Sequence, residues 1–300
     1  SASQMLSLLL IMSVIRSACA GIQTPAVNAT LPHLVPQESL MRYNGINTTM
    51  QSIANFAAPA AAGVVLSFST LGSALLIDVA TAIVGISIFA CVAVPKGESK
   101  ESSSVLADMK SGTFYAVSNK ILKTLLITYG FFIFFSVPSG FLAQLFVSRT
   151  FGETYWYLTA VELVGFAGMA LGGVLMGMWG GFKSRLKTFA FGLLILSIMT
   201  IGMGVSPYFI LYLVMMFVYS IALTMIQTAT TTIIQEQTES TMQGRVFGLM
   251  GAMYSGFLPV GMAIFGPLAD MLPLQWIMVG SGIALVLVAV YLQVKSKLNW

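Results

Sequence analysis

Charge is what this sequence has least of. Only 8% of its 300 residues are Asp, Glu, Lys or Arg, whereas an ordinary soluble domain carries roughly 25%. A fully water-facing surface cannot be built from so few. Histidine and cysteine are nearly missing as well, with one of the first and two of the second. That leaves no metal cluster of recognisable spacing and no disulfide framework. Cys19 and Cys91 both fall inside apolar runs and read as packing residues, and His33 reads as a loop residue at a helix end. The sequence also lacks a glycine-rich phosphate loop and a nucleophile elbow, so neither ATP hydrolysis nor a soluble-type active site is expected, and no cofactor is implied. Short alternating segments of the kind that build a membrane β-barrel are absent too. Two glycosylation-like triplets, beginning at Asn28 and Asn47, fall at the membrane or on its cytoplasmic side and are discounted.

What remains is apolar. Hydrophobic residues make up 57% of the chain and its mean hydropathy is +0.89. Runs of about 20 apolar residues suffice for an α-helix to cross roughly 30 Å of hydrocarbon, and the chain consists almost entirely of them. Nine spans are expected, near residues 2–30, 44–67, 70–94, 121–147, 153–179, 187–205, 207–235, 244–268 and 274–295. The fold class is therefore an all-α polytopic membrane protein. Its 28 glycines and 20 phenylalanines suit packed membrane helices. The serine-rich, charged stretch from Pro95 to Lys123 reads as a linker with one surface helix, separating three spans from six.

The net charge of +4 reports orientation rather than a nucleic-acid partner. If the spans alternate, every Lys and Arg except Arg149 and the intramembrane Arg16 falls on one side, which places the linker and the C-terminus in the cytoplasm.

One small pattern occurs twice. "LMRYNGINTTMQS" and "QGRVFGLMGAMYS" align at an offset of 203 residues, pairing Arg42 with Arg245, Gly45 with Gly248, Met50 with Met253, Ser52 with Ser255 and Gly63 with Gly266. Both copies start at a cytoplasmic loop, so they run in the same direction. That is the arrangement of parallel repeats related by an axis along the membrane normal. The basic residue anchors each helix end at the anionic leaflet, and the glycine lets a neighbouring helix approach closely. A second half of six spans implies a first half of six, so three further spans are expected ahead of Ser1, in a protein of about 390 residues.

Two six-helix halves joined by a cytoplasmic linker resemble the major facilitator superfamily. "LPHLVPQESLMRYNGINTTMQS" with "APAAAG", "GGVLMGMWGGFKSRLKT" and "IIQEQTESTMQGRVFGLMGAMYSGFLPVGMAIFGPLAD" resemble its drug/proton antiporter branch, which includes macrolide-efflux-type permeases. The resemblance implies three units: residues 1–94 as a partial N-terminal bundle holding family helices four to six, residues 95–120 as linker, and residues 121–300 as the C-terminal six-helix bundle. It also brings three motifs. The loop motif G-x-L-x-D-R-x-G-R-[RK] is matched over Gly173, Gly177, Gly180, Gly181 and Lys183, followed by Arg185, with Gly177 and Met178 standing where the motif has Asp and Arg. The antiporter motif G-P-x-x-G-G is similar to Ala58, Pro59, Ala62 and Gly63, and an intramembrane Arg followed by Gly is matched loosely by Arg16 and Gly21.

Charges inside spans are expensive, about 2.5–3.5 kcal/mol each on insertion scales, and by default mark function. Arg16, Asp78 and Glu162 are therefore the candidates for proton coupling or charge handling; structural pairing is the alternative for each. Gly165, Gly168, Gly172, Gly173 and Gly177 in one span predict close helix packing. Pro59, Pro138, Pro259 and Pro267 predict kinks. Asn55, Tyr129, Gln144, Tyr219 and Gln227 are polar handles for a substrate. The expected function is secondary active export of a hydrophobic or amphipathic small molecule, driven by protons through alternating access, by a monomer in the lipid bilayer of a bacterial plasma membrane. A lipid or nutrient carrier on the same fold is the second reading. A non-transporting receptor or a membrane enzyme is a remote third, since no paired catalytic residues stand at one depth.

Overall fold

The computed structural model describes residues 2–68, 71–91 and 105–298, which form eleven helices and, among these residues, no strand. In chain order they are α1 (Ala2–Leu34), α2 (Leu40–Phe68), α3 (Leu71–Ala90), α4 (Val105–Ser118), α5 (Lys120–Gly140), α6 (Ala143–Phe151), α7 (Tyr155–Trp179), α8 (Arg185–Val205), α9 (Phe209–Gln237), α10 (Ser240–Met271) and α11 (Leu274–Leu298). A 3₁₀ turn, Gln37–Ser39, joins α1 to α2.

Seven stretches among the described residues are long and apolar enough to cross a membrane: one in α1, one formed by α5 and α6 together, and one in each of α7 to α11. The other two expected spans coincide with α2 and α3, which are helical but fall outside that set. In α3 the described apolar stretch is the shorter Val79–Ile88. A count of nine crossings is thus not reached by length and composition alone. The expected span 121–147 is also interrupted: α5 ends at Gly140, shortly after Pro138, and α6 begins at Ala143. Pro138 lies inside α5, where its missing amide hydrogen leaves the Phe134 carbonyl without the usual helix partner. The surface helix expected in the linker is α4.

The buried core lies among α5, α6, α8, α9 and α11, with Leu122, Phe146, Phe189, Leu196, Tyr212, Ile226 and Leu285 out of contact with solvent. At one end it finishes in an aromatic cluster in which the rings of Phe146 and Tyr212 stack with centroids 5.5 Å apart and Phe151 meets both edge-on. Cys19 and Cys91, expected as packing residues, are free and exposed.

Glycine decides how α7 is held. A Cβ at Gly168 would fall 2.6 Å from the Phe217 carbonyl oxygen, and one at Gly172 3.0 Å from the Ile221 Cα, so this row lies directly on the α9 backbone. One position around the helix, Gly173 and Gly177 meet α2 instead: a Cβ at Gly45 would fall 2.7 Å from the Gly177 amide nitrogen and 2.9 Å from the Gly173 carbonyl oxygen. The expected close packing is present, on two faces at once.

Candidate functional site

The first half of α2 carries Asn44, Asn47, Thr48 and Gln51 at spacings of three and four, which places them on one side of the helix. At its start the amide of Asn44, 3% exposed, donates to Thr232 Oγ1 at 2.9 Å and to Gln235 Oε1 at 2.6 Å, both on α9. Gln235 Nε2 in turn donates to the Asn28 carbonyl oxygen on α1 at 2.7 Å, and Gln243 Nε2 on α10 donates to the Gln235 carbonyl oxygen at 3.1 Å. Four helices are thereby tied at one level. Buried amides in a membrane interior persist only with such partners.

Just beyond this level the ends of the helices form a basic rim. Arg42 at the start of α2 lies beside Gly180, which ends α7 in a left-handed conformation at φ 73°, followed by Gly181 at φ 75°. A side chain would be strained at either position, which accounts for the glycine pair in the motif. The Arg185 guanidinium reaches Glu236 Oε1 through Nε at 3.0 Å and donates through Nη1 to the Gly180 carbonyl oxygen at 3.0 Å. Both members of that ion pair are 18% exposed. Lys183 is exposed beside them, and Arg245 packs its Cβ against Gly112 of α4. So the loop that has Gly177 and Met178 in place of the motif's Asp and Arg is closed by a different ion pair, whose acid comes from the end of α9. At the opposite end Arg149 pairs with Asp270 at 2.8 Å, with both side chains well exposed.

Beside the tied level a cavity of about 570 Å³ opens between α1, α2, α5, α9 and α10. Its wall on α2 is Asn44, Asn47, Thr48 and Gln51, and its wall on α9 is Gln227, Thr230 and Thr231. Phe247, Gly248, Met250, Tyr254 and Ser255 of α10 close one side, with Tyr129 of α5 and Thr24, Pro25 and Asn28 of α1 completing it. None of its described lining residues carries a charge. The Thr230 hydroxyl is buried there without a hydrogen-bond partner.

Of the residues singled out from sequence, Gly21, Tyr129, Gln227, Gly248 and Ser255 line this cavity. Tyr219 is buried elsewhere, where its hydroxyl accepts from Ser139 at 3.2 Å. Gln144 lies away from the cavity and donates to Glu162 Oε1 at 2.9 Å, and both are exposed. Asn55, Ala58, Pro59 and Ala62 lie exposed further along α2. Arg16, Gly63 and Asp78 belong to α1, α2 and α3, but their surroundings lie outside the described residues. The two repeated glycines differ: Gly45 is in backbone contact with α7, whereas Gly248 has nothing within 4 Å because its face of α10 borders the cavity. Sequence reasoning named Asn28 and Asn47 only as discounted glycosylation-like triplets and did not pick out Asn44, Gln51, Thr230, Gln235 or Glu236. The amide spacing on α2 was the available signal.

Long apolar helices packed through glycine, around an uncharged polar cavity, define a multi-pass membrane protein of the secondary transporter class. The chain belongs to the Major Facilitator Superfamily, whose family model matches residues 1–180. Macrolide efflux protein A of Streptococcus pyogenes is 27% identical over 288 residues, covering 94% of this chain and 71% of that protein. Macrolide efflux protein A of Enterococcus faecalis is 28% identical over 260 residues, covering 85% of this chain and 80% of its own length. Among solved structures, a bacterial homologue of the iron transporter ferroportin in an outward-facing state superposes with a TM-score of 0.75 at 15% identity, covering 97% of this chain and 74% of that one. The fucose:proton symporter of E. coli gives 0.65 at 12% identity, covering 90% and 72%. These two likenesses establish the fold.

Proposed function

We propose that the chain is part of a proton-coupled exporter that moves hydrophobic or amphipathic compounds of the macrolide type out of a bacterial cell by alternating access. The observation that carries this reading is the extent of its likeness to Macrolide efflux protein A, which runs through 94% of the chain. In this reading residues 1–94 and 121–300 belong to two bundles, and the segment near 95–120 links them. The basic rim of Arg42, Lys183, Arg185 and Arg245, with the C-terminus, lies in the cytoplasm by the distribution of Lys and Arg. The glycine contact of α2 with α7 and the amide network around Asn44 then close the cytoplasmic side, and rocking of one bundle on the other parts them. Arg16, Asp78 and Glu162 handle the proton or a substrate charge, as intramembrane ionisable groups do by default. The exporter acts as a monomer.

Expression of the complete gene in an efflux-deficient bacterium tests this. Macrolide susceptibility should fall, and Arg16→Ala or Glu162→Gln should restore it. Unchanged susceptibility to a broad panel, with the protein present in the membrane, would count decisively against export.

A further inference from the structure

The polar groups of the cavity are of one kind. Among the described residues the side-chain amides of Asn47, Gln51 and Gln227 face the cavity without a hydrogen-bond partner, and Thr230, 3% exposed, adds a buried hydroxyl that is likewise unpaired. An amide offers two donors and one acceptor, and a hydroxyl offers both functions. A carboxylate would leave the amide oxygens facing a like charge, and an ammonium would leave the amide hydrogens facing one. Neither would find a counter-ion among the described lining residues, so each would remain desolvated and uncompensated. A ligand carrying several hydroxyls satisfies donors and acceptors together. Tyr129, Tyr254 and Phe247 stand on the same walls and supply apolar ring faces for the carbon side of such a group. The volume of about 570 Å³ lies within the usual range of small-molecule sites, roughly 300–1,000 Å³.

We infer that the cavity recognises an uncharged, hydroxyl-bearing glycosyl face of an amphipathic compound, with Asn47, Gln227 and Thr230 as specificity-determining contacts. This rests on the export reading, since it assigns part of the same substrate to this wall. The greasy remainder of the ligand lies toward Phe247, Met250 and Pro25.

Direct binding separates the two claims. Purified protein in lipid nanodiscs is dialysed to equilibrium against tritiated erythronolide B, an uncharged macrolactone without sugars, and against its neutral 3-O-mycarosyl glycoside. Two or three added hydrogen bonds of ordinary net strength predict that the glycoside binds about tenfold or more tightly. Asn47→Ala and Gln227→Ala should each shrink that ratio by roughly two- to tenfold. Neither amide holds another of the described residues, so both variants should fold. Equal affinity for the two probes, or a ratio unmoved by both variants, would overturn the inference while leaving export intact. Tighter binding of the erythronolide B glycoside that carries only a cationic amino sugar than of the neutral glycoside would also overturn it. Absence of binding by any of the three probes would refute the macrolide reading along with it.

Discussion

Gly45 and Gly248 hold the same place in the repeated stretch and meet different surroundings, so one substitution made at both positions separates packing from sequence. A Cβ at Gly45 would lie 2.7 Å from the Gly177 nitrogen and 2.9 Å from the Gly173 oxygen. Non-bonded atoms prefer about 3.5–4.0 Å, so α2 and α7 must separate locally by roughly 0.5–1 Å. Both obstacles are backbone, and no change of rotamer relieves them. Overpacking of this kind costs about 1–3 kcal/mol, offset in part by the roughly 1 kcal/mol by which Ala exceeds Gly as a helix former. Gly45→Ala should therefore destabilise the protein by up to about 2 kcal/mol, and by about 1–3 kcal/mol relative to the same change at Gly248. At Gly248, where nothing lies within 4 Å, only the helix-forming term remains, and Gly248→Ala should be neutral or more stable by up to about 1 kcal/mol. Unfolding by SDS in mixed micelles, followed through the four tryptophans, measures both. Equal stability of the two variants would refute the contact between α2 and α7.

Two further outcomes follow from the basic end. Asn44→Leu removes the donor to Thr232 and Gln235 and leaves the Gln235 oxygen buried and unpaired, so it should cost about 0.5–2 kcal/mol in the same unfolding assay. A loss below the error of the method would place Asn44 outside the tie. Arg185→Ala breaks a half-buried pair and frees the Gly180 carbonyl at the end of α7, and should cost about 1–3 kcal/mol. Arg149→Ala at the opposite end loses an exposed pair and a bond to the Ala269 carbonyl oxygen, and should cost less, about 0.5–1.5 kcal/mol. The reverse order would show that α7 does not depend on Arg185 for its termination.

The apolar helices and the basic rim were legible in the sequence because each is a local pattern, apolar run length or lysine and arginine at the junctions, whereas the break between α5 and α6 inside one apolar run was not. The glycines of α7 announced close packing for the same reason. What the sequence withheld was the identity of the neighbours. Asn44 and Gln235 are 191 residues apart, and nothing local distinguishes the buried Asn44 from the half-buried Asn47 one turn later. Which of them is tied and which lines the cavity depends on the helix lying across. Glu236 sat unremarked in a polar helix end until Arg185 was found beside it. The repeat, too, gave Gly45 and Gly248 the same register but could not give them the same surroundings. Polar handles chosen by residue type alone were scattered by the fold, with Tyr129 and Gln227 on the cavity and Gln144, Tyr219 and Asn55 elsewhere.

The glycine seam between α2 and α7 has a thermodynamic consequence of its own. Ordering a long side chain at a contact costs up to about 2 kcal/mol of rotamer entropy, and glycine costs nothing. Joining the two helices through Gly45, Gly173 and Gly177 therefore orders few side chains, chiefly Thr49 and Ile46 of α2. What holds the seam is dispersion between backbones and a hydrogen bond from the Thr49 hydroxyl to the Ala170 carbonyl oxygen at 3.3 Å. A seam of this kind gives up little side-chain entropy when it forms.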